Sequence, residues 1–105
     1  MDPKYADKLR DLERRLLDQP GTLDPAIRRA AADGEAVPED VSDYVEKVRR
    51  AAYTVTDEEV RQLLSSGWSQ DQLFELTVTA AFGAARRRLQ IGLEALAGVT
   101  APEEV

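Results

Sequence analysis

The chain has 105 residues with 14 basic and 20 acidic side chains, a formal net charge of −6, and neither cysteine nor histidine. These two zeros exclude thiol nucleophiles, CxxC redox pairs, disulfides, Cys/His zinc sites and serine–histidine triads, which leaves carboxylates, Tyr, Lys, Arg, Ser and Thr for any chemistry. The length is that of one small domain, the 43% of hydrophobic residues supports a modest core that self-association would enlarge, and the acidic balance disfavours a nucleic-acid backbone as partner.

Met1 to Asp7 lacks the apolar stretch of a secretory signal. Leu73 to Ala85, the most apolar window, contains Glu75 and falls short of the ~20 residues that cross a bilayer. A cytoplasmic protein without a membrane partner is expected. Asp2-Pro3 reads as an N-cap followed by Pro at the first helical position, and Tyr5, Leu9, Leu12 and Leu16 recur at helical spacing. They predict a first helix that ends before Pro20-Gly21, with Asp11 and Arg15 as an i,i+4 pair. Asp24-Pro25 repeats the device for a short second helix, which Gly34 ends.

A third, amphipathic helix is predicted over 39–52, with Val41, Tyr44, Val45, Val48 and Ala52 on one face. Thr56-Asp57-Glu58-Glu59 is a capping box that starts a fourth helix, stapled by Val55 and Val60, and Gly67 ends it. Ser69-Gln70-Asp71-Gln72 is a second capping box, with Trp68 and Leu73 as its staple pair. It opens a fifth helix predicted over 70–97, with Gly98 as the C′ residue and 100–105 as a frayed tail. From Leu73 to Ala85 the apolar residues point in every direction, as in a helix buried on all sides, yet four short helices cannot easily enclose it, so it is expected to overhang, bend or lie in an interface. The fold expected is an all-α bundle of five helices with a long C-terminal helix, one domain over 1–99.

The stretch Ala52-Tyr53-Thr54-Val55-Thr56-Asp57-Glu58-Glu59-Val60, then Gly67-Trp68-Ser69, Leu73-Phe74-Glu75-Leu76 and Arg88-Leu89 resembles the carboxymuconolactone decarboxylase and alkylhydroperoxidase D-like superfamily, over roughly 37–97. The resemblance implies an all-helical fold that associates into dimers, trimers or hexamers through its long helices. Active peroxidase-like members use a CxxC pair with a nearby His, and decarboxylase members rely on histidine, so neither set of catalytic residues has a counterpart here. The expected function is that of a redox-inactive, homo-oligomeric binding or accessory protein without a cofactor.

The rival reading is an enzyme that decarboxylates a small acid or transfers a proton, with Glu75 as base and Arg86 or Arg88 holding the substrate carboxylate. Glu75 lies among apolar neighbours, with Thr79 and Arg86 near its face, and its expected partner is an arginine of a neighbouring chain's helix 5 or Arg49 or Arg50 of its own. Gly83 removes bulk where another helix can approach closely. Tyr44, Tyr53 and Trp68 either pack a core or interface or line an apolar pocket. Arg86, Arg87 and Arg88 diverge by about 100° each around the helix and so form no single basic face. A helix-turn-helix reading of 56–76 fails on Asp71, which would face phosphates.

Overall fold

The computed structural model describes residues 3–100, with side chains from Ala6 to Val99. The expectations for Asp2, for the side chain of Tyr5 and for the tail at 101–105 lie outside the described residues. The secondary structure of the described residues is all helical, without strands, in the order α1 (Pro3–Leu17), α2 (Pro25–Asp33), α3 (Glu39–Arg50), a single 3₁₀ turn (Ala52–Thr54), α4 (Asp57–Ser65) and α5 (Gln70–Thr100). None of these helices is long and apolar enough to cross a membrane.

The local signals form as written. The Asp24 carboxylate accepts from the Ala26 amide at 2.8 Å to cap α2, and Gly34 closes it in the left-handed region at φ 72°. Thr56 and Glu59 exchange both bonds of a capping box, and so do Ser69 and Gln72, at 2.9 and 3.0 Å. Val55, Val60 and Trp68 pack against a core made of Leu23, Ala31, Val41, Tyr44, Val45, Leu63, Leu73, Leu76 and Ala80. The first half of α5 is the axis of this core, lying under α2 and α3.

Three expectations need correction. Leu12 of α1 is 45% exposed, and the fully buried residue is Leu17, one position past the predicted seam. Asp11 pairs with Arg14 one turn on, not with Arg15. Gly98 does not end α5, which runs through it to Thr100 with no positive φ at that glycine. As expected of so long a helix, α5 is not enclosed within one chain and overhangs its core: Phe74 is 69% exposed, and among the described side chains none beyond Ala84 is buried. At 31 residues α5 is ~46 Å long. The molecule is correspondingly elongated, 60 × 29 × 19 Å, with a radius of gyration of 16.5 Å where a compact domain of this length has about 13 Å.

Candidate functional site

The candidate residues do not converge on one pocket. Tyr44 is buried, and its hydroxyl bonds to that of Thr77, which itself donates to the Leu73 carbonyl at 2.6 Å. Trp68 donates its indole N–H to Asp40 at 2.6 Å, tying α3 to the start of α5. Tyr53, in the 3₁₀ turn, is 90% exposed and far from both roles foreseen for it. Thr79 is buried and donates back to the Glu75 and Leu76 carbonyls within α5.

Contrary to one of the expectations, Glu75 pairs with neither Arg49 nor Arg50 of its own chain. Its carboxylate accepts the Thr22 amide at 3.0 and 3.1 Å, the Leu23 amide at 2.9 Å, and the Thr22 hydroxyl. The turn into α2 bends over α5 and presents its donors, so the carboxylate satisfies backbone groups that have no helical partner. Gly21 makes room, because a Cβ there would lie 1.8 Å from the Glu75 Oε1. Partial burial raises the Glu75 pKa, but the Thr22 hydroxyl, the Leu23 and Thr22 amides and the charge of Arg28 outweigh it and hold the carboxyl below its ordinary value. With its lone pairs occupied and its charge stabilised, this carboxylate anchors a turn and is a poor general base.

Arg28, which no sequence signal singled out, is 3% exposed. Its terminal nitrogens donate to the Leu16 carbonyl at 3.1 Å and to the Gln19 carbonyl, at the C-terminal end of α1. Two further arginines do the same elsewhere. Arg49 of α3 donates to Ala31 and Ala32 in the last turn of α2, at 2.9 and 2.7 Å, and Arg88 of α5 donates to the Arg49 carbonyl in the last turn of α3 at 2.8 Å. Each of the three longer connections is thus closed by a guanidinium from a later helix on the orphan carbonyls of an earlier one, where a positive charge also complements the helix dipole.

Where α2 crosses α5 the two backbones come into close contact. A Cβ on Gly83 would lie 1.8 Å from the Ala32 carbonyl oxygen, so only glycine lets the two backbones meet. One turn along, Arg86 pairs with Glu13 of α1 and, at 2.8 Å, with Asp33 of α2, while its guanidinium sits 5.8 Å from the Phe82 ring centroid. Arg86 therefore ties three helices together and is not presented to a substrate.

The cleft nearest Glu75 and Thr79, edged by Leu16, Arg28, Phe74 and Val78, holds about 170 Å³, less than the ~300 Å³ at which small-molecule sites begin. No group of three or more potential metal ligands occurs among the described residues. Compared with known proteins, the chain matches no family model, and no curated protein or solved structure matches it either.

Proposed function

We propose that the chain is a redox-inactive, alkylhydroperoxidase-like helical protein that works by association and binding, assembling through α5 with a second copy of itself. One observation carries this reading: α5 has an exposed apolar stripe along its whole length. Phe74, Val78, Ala81, Ala85, Leu89, Gly92, Leu96 and Val99 follow one another at steps of three and four, and all but the half-buried Val78 are exposed.

The order of sizes in the stripe suits a two-fold axis through Ala85. Turned antiparallel, Phe74 falls opposite Leu96, Val78 opposite Gly92, Ala81 opposite Leu89, and Ala85 opposite its own copy, so that bulk at each end frames small residues at the centre. The surface area fits such a partner. The chain exposes 7469 Å², where a compact monomer of this mass exposes roughly 5,800 Å².

The lack of Cys and His leaves no thiolate or imidazole for peroxidase chemistry, and the anchored state of Glu75 supports binding over catalysis by that carboxylate. Sedimentation or light scattering at micromolar concentration tests the association, with a mass of twice 11.6 kDa expected. Ala85→Glu places two carboxylates against each other on the axis while leaving an exposed helical position content, and should yield a folded monomer. A monomeric parent, or an Ala85→Glu dimer, overturns the reading.

A further inference from the structure

Off the α5 stripe, where the C-terminal ends of α2 and α3 meet the middle of α5, a cleft of about 420 Å³ gathers four arginines, Arg49, Arg50, Arg87 and Arg88, in a chain whose net charge is −6. Two carboxylates share it, and both are committed: Asp33 to Arg86 at 2.8 Å, and Glu46 to Arg50 at 2.8 Å. Arg49 and Arg88 each spend part of their guanidinium on a helix end, which leaves further N–H groups on both. Arg87 is exposed, and its side chain makes no hydrogen bond or ion pair among the described residues. Gly34 opens the floor, since a Cβ there would stand 3.1 Å from the Arg49 Nη2. Ala84 and Ile91 supply an apolar wall.

The geometry points to a binding site for a small-molecule dianion, a phosphate ester or a dicarboxylate, held by Arg49, Arg87 and Arg88 with its carbon portion against Ile91. Guanidinium groups bind such oxyanions through paired N–H donors, and the volume is that of a small-metabolite site. A nucleic-acid strand does not fit these observations, because the basic groups line one cleft of a chain whose net charge is −6. The site gives the binding reading above its ligand class, and it is independent of α5 pairing, since Arg87 lies on the flank of α5 away from the stripe.

Isothermal titration of the full chain at low ionic strength with inorganic phosphate and with succinate tests it, with light scattering on the same samples. One saturable site per chain is expected, and the tighter of the two ions identifies the headgroup. Arg87→Gln should weaken binding at least about tenfold without altering the oligomer or the melt, as befits the loss of an exposed charged donor whose side chain makes no hydrogen bond or ion pair among the described residues. Arg61→Gln, an exposed arginine 3.9 Å from Glu58, removes the same charge elsewhere and should change nothing. Absence of saturable binding for both ions, or equal losses in the two variants, overturns the assignment, whether or not the chain dimerises.

Discussion

The Glu75 carboxylate accepts the amide proton of Leu23 at 2.9 Å across 52 residues of sequence, and in doing so sets the angle at which α2 returns over α5. Removing it leaves the Thr22 and Leu23 donors to water on the outer side and to nothing on the inner one. Glu75→Leu should therefore cost ~1–3 kcal/mol in denaturant unfolding, while Glu75→Gln, which keeps one acceptor oxygen but no charge, should cost less. Two variants as stable as the parent would show that the turn holds without its anchor.

Acid should unfold the protein through the same group. The Glu75 pKa is lowered from 4.5, against the raising effect of burial, by the Thr22 and Leu23 donors and Arg28. That of Glu59 is lowered chiefly by its bond to Lys47, at 2.6 Å. A carboxyl with a lower pKa folded than unfolded binds fewer protons when folded. Its contribution is complete above about pH 4.5 and is lost as pH falls through the lowered value. Stability should accordingly decline below pH 4.5 with a slope that Glu75→Gln reduces. With no histidine in the chain, no side chain of ordinary pKa titrates from about pH 5 to 8, so the melt should be level there. An acid limb unchanged in Glu75→Gln would remove Glu75 from this linkage.

The helix starts were legible because their causes are local: Asp24, the Thr56 and Glu59 box and the Ser69 and Gln72 box each act within a few residues of themselves. The arginine caps were not. Arg28 sits at a position that reads as surface, and what buries it is the pair of carbonyls at Leu16 and Gln19, groups that every residue carries and no sequence pattern marks. Glu75 misled for the same reason, since its neighbours Leu73, Phe74 and Leu76 suggested a buried charge in need of an arginine, whereas backbone amides met the need. All-round apolarity from Leu73 to Ala85 was legible as more apolar surface than four short helices can cover, and Phe74, Ala81 and Ala85 do face outward in the single chain. The arginine cleft joins positions near 50 to positions near 88, a juxtaposition that exists only after α3 has packed on α5.

Gly83 separates two effects that oppose each other in any helical glycine. Replacing glycine by alanine in a helix gains up to about 1 kcal/mol of propensity where space allows. At Gly98 nothing lies within 4 Å of the new methyl, so Gly98→Ala should leave the fold as stable as the parent or slightly more so. At Gly83 the methyl would stand 1.8, 2.4 and 2.5 Å from the Ala32 oxygen, carbonyl carbon and Cα, all backbone atoms that no rotamer change can move. The α2 helix would have to lift from α5, disturbing Ala31 and Ala80 in the core and the Arg86 contact with Asp33. Gly83→Ala should thus lose ~1–3 kcal/mol in spite of its better propensity, through overpacking. Urea unfolding of both variants gives the comparison, and a Gly83→Ala protein at least as stable as Gly98→Ala would mean that α2 does not cross α5 at this glycine.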